Sequence, residues 1–413
     1  MSLERLVHYV SLDGAGGVEQ QFVEFVRAAR EQGVPEHHVV ACGRRVHPLI
    51  RSRLESSGAA VTFEKYIGRL KLPKWPALLR AARQRRLISG AQPDAVVIWN
   101  RLRDSLDTLA AAGPERTIYW ERGASWFAGE SRDKRQFLAQ APAIICNSQA
   151  ARRMLELRWK YRGQIRVVHN ALRPSLLPNG TTAPRGLPES DGFTLGVVAR
   201  LQPIKGVSLV LHALAWLRDQ GWNVRLRIAG DGPEMRRLQS EVTRLDVAAH
   251  VVFEGLVADM AAFYRRIDLL VHPALREPFG QIAVEAGAYG IPSVVAAVDG
   301  LVEVIEDRVT GVCVKPTLTL ADYRELGGGE EDLPPYVYDP FSDAIDTPGV
   351  VDPVKLAQAI AFCLEDGDRY RNMSARALEA VSRRFVFDDH VRDALASIEA
   401  FVHGGHLDPG ARP

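Results

Sequence analysis

A strand-to-helix junction that carries two glutamates is written Arg276-Glu277-Pro278-Phe279-Gly280-Gln281-Ile282-Ala283-Val284-Glu285-Ala286-Gly287-Ala288. Proline and glycine end the preceding apolar run, so we expect a helix to begin near Gly280. The first turn of a helix has unpaired amide groups, and the positive end of its dipole favours a diphosphate. Glu285 follows Gln281 by four residues and so shares its helix face, where a carboxylate can accept hydrogen bonds from vicinal hydroxyl groups.

On both sides of this junction, short apolar runs alternate with longer helical patterns, which is typical of β-α units on a parallel sheet. In the first half the predicted strands are Arg5–Val10, Val39–Gly43, Ala95–Asn100, Thr117–Trp120, Ala143–Asn147 and Ile165–His169. In the second half they are Thr194–Ala199, Val224–Ala229, Val251–Glu254, Leu269–His272, Ser293–Ala296 and Gly311–Val314. The sequence therefore predicts an α/β chain of two doubly wound domains that face a central cleft, with ligands at the carboxyl ends of the strands.

The length of 413 residues also favours two domains, because a single core rarely grows beyond about 250 to 300 residues. Residues 173–192 are rich in proline, glycine and polar residues, and we interpret them as the linker. The predicted domains are then residues 1–172 and 193–386. Residues 387–413 are predicted to form a helix that crosses back to the first domain, followed by a tail.

One stretch of the second domain, about residues 317–352, interrupts the β-α alternation. Within it, residues 321–352 contain nine acidic residues and the single base Arg324, together with three successive glycines. We interpret this stretch as a mobile acidic surface insertion.

The composition is that of a water-soluble folded protein, with 46% hydrophobic and 25% charged residues. No apolar run reaches the roughly 18 residues that span a bilayer, and the first residues do not resemble a cleaved leader. The four cysteines have no paired spacing, so we expect free thiols in a reducing, cytoplasmic compartment.

A basic segment, residues 44–86, contains twelve Lys and Arg residues against Glu55 and Glu64. Apolar and aromatic residues, among them Ile67 and Leu70, are interspersed with the charges. Such a segment favours contact with an anionic membrane or an acidic acceptor, and the alternative is an ordinary solvated surface. No nucleic-acid-binding motif accompanies the charge, so we expect no nucleic acid partner.

The pattern of Glu277 and Glu285 with Pro-Phe-Gly after the first acid resembles the retaining glycosyltransferases of family four. The similarity continues in Val198-Ala199-Arg200-Leu201-Gln202-Pro203-Ile204-Lys205-Gly206, in Ile228-Ala229-Gly230-Asp231-Gly232-Pro233 and in Val252-Phe253-Glu254-Gly255. This resemblance implies a GT-B fold of two Rossmann-like domains. It also implies that the second domain binds a nucleotide-sugar and that the first domain binds the acceptor.

In that family, the acid matching Glu277 holds the donor sugar and the acid matching Glu285 binds the ribose. Arg200 and Lys205 follow a strand and place two cations where a leaving diphosphate gathers charge. Because no Asp-x-Asp motif or histidine cluster offers a metal site, we expect metal-independent chemistry without a cofactor. The predicted donor-binding residues are Gly16, Gly17, Arg200, Lys205, Gly232, Val257, Pro278, Phe279, Gly280, Gln281 and Glu285.

The first domain departs from the family pattern. Its glycine-rich loop, Asp13–Glu19, is not a dinucleotide fingerprint, although the matching loop in the family lies over the donor phosphate or the acceptor. Arg122 stands where family members often have a histidine, so we expect it to supply charge during the reaction. The predicted acceptor-binding residues are Asn100, Glu121 and Arg122, and the predicted catalytic residues are Arg122, Arg200, Lys205 and Glu277.

The resemblance therefore implies a retaining, hexosyltransferase-like enzyme. Its expected acceptor is a glycan or a lipid-linked sugar in bacterial cell-surface polysaccharide or lipopolysaccharide synthesis, at the inner face of the membrane. Two alternatives remain open at this point: a nucleotide-sugar epimerase of the GT-B fold and a non-catalytic subunit that binds a nucleotide-sugar.

Overall fold

The computed structural model describes residues 2–14, 16–68, 70–73, 78–103, 105–127, 129, 131–180, 182–188 and 192–408. It divides the chain into two compact units, Met1–Arg173 with Phe387–Pro413 and Pro174–Val386. Parts of four predictions lie outside the described residues: Ala15 of the glycine-rich loop, Arg69, Lys74 and Trp75 of the basic segment, residues 181 and 189–191 of the predicted linker, and residues 409–413 of the predicted tail.

The first unit is built on a seven-stranded parallel sheet in the order β3-β2-β1-β6-β7-β8-β9, with a two-stranded hairpin, β4-β5, beside it. Its strands are β1 Arg5–Val10, β2 Glu36–Ala41, β3 Ala60–Phe63, β4 Tyr66–Ile67, β5 Leu70–Lys71, β6 Ala95–Trp99, β7 Thr117–Glu121, β8 Ala143–Cys146 and β9 Gln164–Val167. Its helices are α1 Gly17–Glu31, α2 Pro48–Ser56, α3 Leu78–Ala91, α4 Leu106–Ala112, α5 Arg132–Gln140 and α6 Gln149–Leu157, with 3-10 turns at Pro114–Arg116 and Ala124–Trp126.

The second unit is built on a six-stranded parallel sheet in the order β12-β11-β10-β13-β14-β15, with an antiparallel hairpin, β16-β17. Its strands are β10 Phe193–Val198, β11 Val224–Ala229, β12 Val251–Gly255, β13 Leu269–His272, β14 Ser293–Ala296, β15 Gly311–Val314, β16 Val337–Asp339 and β17 Ala344–Asp346. Its helices are α7 Val207–Asp219, α8 Met235–Arg244, α9 Met260–Arg265, α10 Gln281–Ala288, α11 Leu301–Val304, α12 Leu320–Glu325, α13 Pro353–Leu364 and α14 Gly367–Arg384, with 3-10 turns at Pro174–Leu176, Pro203–Lys205 and Ala248–His250.

The last helix, α15 Phe387–Gly404, belongs to the first unit although it follows the second in sequence. Its buried face, which includes Val391, Ile398 and Phe401, joins the core cluster of the first sheet. A hydrogen bond of 3.0 Å from Gln32 Nε2 to the Asp388 oxygen fixes it against the end of α1. The predicted return of the chain to its first domain is therefore confirmed.

The predicted strands of both parallel sheets are present, with small shifts at their ends. Central strands such as β6 and β7 are buried along their whole length, which explains why continuous apolar runs identified them. The edge strand β3 was not predicted, because its side chains are only partly buried and its sequence lies within the basic segment.

Two stretches are more ordered than the sequence predicts. The start of the predicted linker packs on the second unit, since Tyr289 donates its hydroxyl to the Leu176 oxygen at 3.1 Å. The acidic insertion contains α12, β16 and β17 and buries Tyr323 and Tyr338, none of which the sequence predicted, while its mobility stays a prediction. The sequence interpretation rested on the acidic residues and did not consider the two tyrosines that pack this stretch onto the second unit.

Candidate functional site

The carboxyl edge of the second sheet joins two loops that are far apart in sequence. The strands β10 and β13 are neighbours, so the loops that follow them, 199–206 and 273–280, lie side by side. The Leu275 N–H donates to the Ile204 oxygen at 2.9 Å and links the two loops directly. This edge is where a doubly wound sheet binds its ligands.

Lys205 and Glu277 form an ion pair on this edge, with 2.6 Å between Nζ and Oε2. The Lys205 side chain is 22% exposed and that of Glu277 is 16% exposed. Burial alone would raise the pKa of Glu277, but the Lys205 ammonium and a hydrogen bond from His272 outweigh burial and hold this pKa well below its ordinary value. The carboxylate is therefore ionised at any pH near neutrality.

His272 is the third member of this cluster and was not predicted as a site residue. Its Nε2 lies 3.1 Å from Glu277 Oε2, and its ring is 2% exposed. Burial lowers the pKa of His272, against the opposing effect of Glu277, so the neutral ring must donate its Nε2 proton to the carboxylate. A histidine at the end of β13, five residues before the acid, was the signal that could have identified it.

Asp299 holds the backbone of Glu277 and was also missed. Its Oδ2 accepts the Glu277 N–H at 3.0 Å, and the Gly300 N–H donates to the Glu277 oxygen at 3.1 Å. Asp299 is fully buried and has a left-handed φ of 48°. An Asp-Gly pair three residues after the end of β14 was the available signal, because Asp tolerates this conformation better than most residues.

The turn that carries Lys205 depends on a glycine at position 206. Gly206 has φ 65°, and a Cβ at this position would lie 2.3 Å from the Pro273 oxygen. The 3-10 turn Pro203–Lys205 can therefore approach the loop after β13 only because residue 206 has no side chain.

Glu285 lies on α10, where the sequence predicts it, and is 3% exposed. Its Oε2 accepts a hydrogen bond of 2.9 Å from the Tyr264 hydroxyl. The helix begins after Gly280, which has φ 104°, and Phe279 is buried beside Phe385 with ring centroids 5.8 Å apart. The predicted helix start is thus confirmed, while the diphosphate contact of Gln281 and the role of Pro278 stay predictions.

The other donor-binding predictions in this unit lie on the same edge. Arg200 is exposed, and its guanidinium has no hydrogen-bond or ion-pair partner within the described part of the chain. Gly232 packs on the Arg200 loop, since a Cβ there would lie 2.3 Å from the Leu201 oxygen. Val257, after β12, is half-buried. The structure does not bring Arg200 or Val257 into contact with the Lys205–Glu277 pair.

In the first unit, the glycine-rich loop lies between β1 and α1. Asp13 Oδ1 accepts the backbone N–H groups of Arg44 and Arg45, at 2.9 and 3.1 Å. Gly16 precedes α1, and a Cβ at Gly17 would meet no atom within 4 Å. The local packing therefore does not require glycine at position 17, and the donor contact of both glycines stays a prediction.

Glu121 is fully buried, and the chain itself supplies its hydrogen bonds. Oε1 accepts from the N–H groups of Gly123 and Ser125 at 2.7 and 2.9 Å and from the Ser125 hydroxyl at 3.0 Å, while Oε2 accepts from Tyr119 at 2.6 Å. Burial raises the pKa of Glu121, and these donors offset only part of that effect. This geometry favours a structural role in the loop after β7 over the predicted contact with an acceptor.

Asn100 and Arg122 occupy neighbouring strand ends. Asn100 Oδ1 accepts the N–H groups of Arg122 and Ala124, at 3.0 and 2.9 Å. The Arg122 guanidinium is 6% exposed and donates from Nη2 to Asn170 Oδ1 at 2.9 Å. Burial lowers the pKa of Arg122 to about 9, which leaves it charged near neutral pH. The roles predicted for Asn100 and Arg122 toward the acceptor stay predictions.

The described residues include neither a membrane-spanning helix nor a metal-binding group of side chains. None of the helices described is both long and apolar enough to cross a bilayer. No group of three or more His, Cys, Asp or Glu side chains in the described ranges is arranged to hold a metal ion.

Two protein-family models match the chain in succession. Residues 15–176 match the model described as Glycosyltransferase Family 4, and residues 182–325 match the model described as Glycosyl transferases group 1. Among curated proteins, the D-inositol 3-phosphate glycosyltransferase of Streptomyces griseus is 36% identical over 170 residues, which is 38% of this chain and 36% of that relative. The protein of the same name from Mycobacterium tuberculosis is 34% identical over 194 residues, 44% of this chain and 39% of the relative. The matches thus span less than half of these relatives.

Solved structures show the same fold. Anabaena HepE in complex with UDP and glucose superposes with a TM-score of 0.71 at 20% identity, over 96% of this chain and 100% of that chain. A glycosyltransferase from Rickettsia africae gives a TM-score of 0.75 at 15% identity, over 98% of this chain and 100% of that chain. At these identities the likeness supports the predicted GT-B fold, with its two Rossmann-like units.

Proposed function

The chain belongs to glycosyltransferase family 4, and from that premise we propose that it transfers a sugar from a nucleotide-diphosphate sugar to a glycan or lipid-linked acceptor. The observation that supports this most is the partly buried cluster of Lys205, Glu277 and His272 at the carboxyl edge of the second sheet. A fixed cation beside an ionised carboxylate suits a reaction in which a diphosphate leaves and positive charge develops on a sugar ring.

In the proposed reaction, Glu285 binds the ribose, and Glu277 holds the donor sugar near its reacting carbon. Lys205 and Arg200 offset the charge that develops on the leaving diphosphate, so the proposed chemistry needs no metal ion. The start of α10 adds its dipole at the same edge.

We propose that the product retains the anomeric configuration of the donor. The acceptor oxygen would bond to the anomeric carbon on the face from which the diphosphate departs, and the acceptor proton would pass to a phosphate oxygen of the leaving group. The alternative of a double displacement needs a nucleophile at the anomeric carbon. In the proposed arrangement Lys205 and His272 engage Oε2 of Glu277, and this carboxylate holds the donor sugar rather than attacking it.

On the acceptor side, we propose a cell-surface glycan or lipid-linked acceptor that is modified at the inner face of the bacterial membrane. The hairpin β4-β5 supports this: Ile67 and Leu70 are 54% and 78% exposed at a turn within the basic segment. Exposed apolar side chains surrounded by arginines and lysines are typical of peripheral membrane contacts.

The test begins with a panel of nucleoside diphosphates and their sugars, scored by the rise in the melting temperature of the protein. The donor with the largest shift is then incubated with membrane glycans, and the anomeric configuration of the product is read by NMR. An inverted product would contradict retention, and epimerised donor without acceptor would indicate an epimerase. Binding without turnover on any acceptor would indicate a non-catalytic subunit.

Glu285→Gln tests the assignment of the nucleoside. We expect about a tenfold or greater loss of nucleoside diphosphate affinity, because a charged carboxylate with two acceptor oxygens is replaced by a neutral amide with one. Glu379→Gln on α14 is the control, since its side chain is 37% exposed and pairs with Arg376 and Arg383. Equal affinities for both variants would show that Glu285 does not bind the nucleoside.

A further inference from the structure

The Arg122 guanidinium is a buried cation without an internal counter-ion. Nη2 donates to the neutral amide oxygen of Asn170, but Nε and Nη1 are buried and have no hydrogen-bond partner in the described chain. No carboxylate among the described residues forms an ion pair with it. The rings of Trp99 and Trp120 lie 5.0 and 4.9 Å from the guanidinium carbon and offset part of the cost of burying this charge, but they do not replace a counter-ion.

Two neighbours of Arg122 are unsatisfied in the same way. Its Cζ lies 4.9 Å from the ring centroid of Trp120, whose ring is 5.7 Å from that of His390 on α15. Trp120 Nε1 and His390 Nε2 are both buried without a partner in the part of the chain that the structure describes. Since His390 Nδ1 bonds the His169 oxygen at 2.7 Å, the neutral ring presents Nε2 as an acceptor.

We propose that Arg122 binds an anionic group of the acceptor, a phosphate or a carboxylate. This inference rests on the proposed function and adds the class of acceptor to it. Arg122 and Trp120 supply donors to the anion, and His390 accepts from a hydroxyl beside it. The acceptor is favoured over the donor as the source of the anion, because Arg200 and Lys205 in the second unit already offer two cations to the donor diphosphate.

The first test needs no ligand. In Arg122→Met we expect a melting temperature equal to or above that of the wild type, because an uncompensated buried charge is replaced by a side chain suited to an apolar site. Arg83→Met is the control, since the Arg83 guanidinium donates to the backbone oxygens of Glu64 and Tyr66, and its loss should lower the melting temperature. A fall in Arg122→Met as large as that in the control would show a structural arginine and overturn the proposal.

The second test uses inorganic phosphate as the probe. Phosphate at millimolar concentration should raise the melting temperature of the wild type but not that of Arg122→Met. The same difference should remain when the nucleoside diphosphate that binds best is present at saturation. Loss of the shift in the presence of the nucleotide would assign the anion to the donor and overturn the acceptor assignment. An equal shift in both proteins, or none in the wild type, would overturn the site itself. None of these outcomes depends on turnover, so a failure here is distinguishable from a failure of the proposed function.

An independent observation concerns the acidic insertion. Its three glycines allow close packing: a Cβ at Gly327 would lie 2.7 Å from the Glu241 carboxyl carbon, and a Cβ at Gly328 would lie 2.4 Å from the Tyr323 ring. A Cβ at Gly329 would lie 2.7 Å from Pro203. The insertion therefore packs against α8 and against the turn that carries Lys205.

Two sets of hydrogen bonds connect the insertion to the charged cluster. Tyr323, which is 1% exposed, donates its hydroxyl to the Pro203 oxygen at 2.6 Å, inside the Lys205 turn. Tyr338 donates its N–H to Asp299 Oδ1 at 2.7 Å and accepts the Asp299 N–H at 3.1 Å. The other oxygen of Asp299 holds the Glu277 N–H. The insertion thus reaches Glu277 through Asp299, and it reaches Lys205 through the backbone of Pro203, two residues earlier in the same turn.

We infer that the acidic insertion positions Lys205 and Glu277 for the proposed reaction, with Tyr323 as a positioning residue. Tyr323→Phe removes one hydroxyl and preserves the ring. We expect faster amide hydrogen exchange in residues 201–206 and about a tenfold lower kcat with little change in donor KM, because a displaced Lys205 no longer meets the leaving group.

Tyr161→Phe is the matched control for Tyr323→Phe. Tyr161 is also buried, and its hydroxyl donates to the Ala141 oxygen at 2.9 Å in the first unit. Its loss should cost similar stability without changing exchange in residues 201–206. If exchange in Tyr323→Phe changes only within the insertion, or if kcat is unchanged, the positioning role is refuted. Because exchange is measured without substrate, it remains informative even if the proposed function fails.

Discussion

Lys205 and Glu277 show how burial and charge act together on single residues. Each side chain alone would be costly to bury at the edge of the second sheet, and each offsets the charge of the other across 2.6 Å. The neutral His272 adds a donor without adding charge. The result is a carboxylate that stays ionised and a lysine whose position is fixed before any ligand arrives.

Removing Lys205 tests this arrangement. In Lys205→Ala we expect kcat for sugar transfer to fall by about 10² to 10³, because a fixed cation at the leaving group is lost. The pKa of Glu277 should rise as well, since the Lys205 ammonium is the largest of the effects that lower it. Activity of the variant should therefore decline at a higher pH on the acid side than activity of the wild type.

Lys315→Ala is the control, because this exposed lysine lies over the Phe341 ring at 4.3 Å. The measurement is the pH profile of kcat for the three proteins. Wild-type turnover in Lys205→Ala would contradict the proposed role in leaving-group stabilisation.

At the scale of elements, the backbone of the loop between β10 and α7 determines where Lys205 lies. Its 3-10 turn approaches the Pro273 carbonyl, and the Leu275–Ile204 hydrogen bond then joins the two loops. A small change in backbone geometry at Gly206 would thus reach Lys205 directly.

Gly206→Ala should destabilise the protein by about 2 kcal/mol or more, because a left-handed residue gains a Cβ against a backbone oxygen. Gly221→Ala separates the two causes: Gly221 has φ 85°, but a Cβ there would meet nothing within 4 Å. This control should cost only about 1 kcal/mol, the strain of the left-handed conformation. Urea unfolding of both variants measures their free energies of unfolding. Equal losses would show that the loops move apart and that the Cβ at position 206 no longer meets the Pro273 oxygen.

At the scale of the whole molecule, buried histidines link stability to pH. In the first unit His8 Nε2 and His37 Nδ1 are 2.9 Å apart, and His37 Nε2 lies 3.1 Å from the Val34 oxygen. Burial lowers the pKa of His37 to about 4 and that of His8 well below its ordinary value. Both rings are therefore neutral in the folded protein.

An unfolded chain takes up protons at these histidines below about pH 6.5, whereas the folded chain does not. The contribution of the two neutral histidines to the free energy of unfolding is therefore fully present above pH 6.5. It should fall as the pH decreases toward 4, by up to about 1.4 kcal/mol per pH unit for each histidine. His37→Gln should lessen this slope between pH 6.5 and 5, where most carboxylates remain ionised. Chemical unfolding at several pH values measures the slope of the free energy of unfolding against pH. An unchanged slope in the variant would contradict the assignment of this pH dependence to His37.

The membrane contact is also a property of the molecular surface. Leu70→Ser should reduce co-sedimentation with vesicles that contain anionic lipid, because an apolar side chain that is 78% exposed within the basic segment is removed. Leu256→Ser, also 78% exposed but in the second unit, is the control. Equal binding of the two variants would argue against the hairpin as the contact.

The sequence by itself determined the family and most strands of the two parallel sheets, although not the edge strand β3 or the hairpins β4-β5 and β16-β17. These features depend on local information: apolar runs of strand length, helical periodicity, and Pro or Gly at the junctions. Lys205, Glu277 and Glu285 could be named because they stand in motifs that resemble those of the family.

Only the tertiary structure decided which side chains meet. The pairing of β10 with β13 brings Lys205 to Glu277, and the fold adds His272 and Asp299, whose partners no local pattern specifies. The donors to Glu121 are local, on β7 and in the loop after it, and only the complete burial of this carboxylate depends on the assembled sheet. Hydrogen-bond partners and burial depend on chain segments distant in sequence, so they are settled only when the sheets assemble.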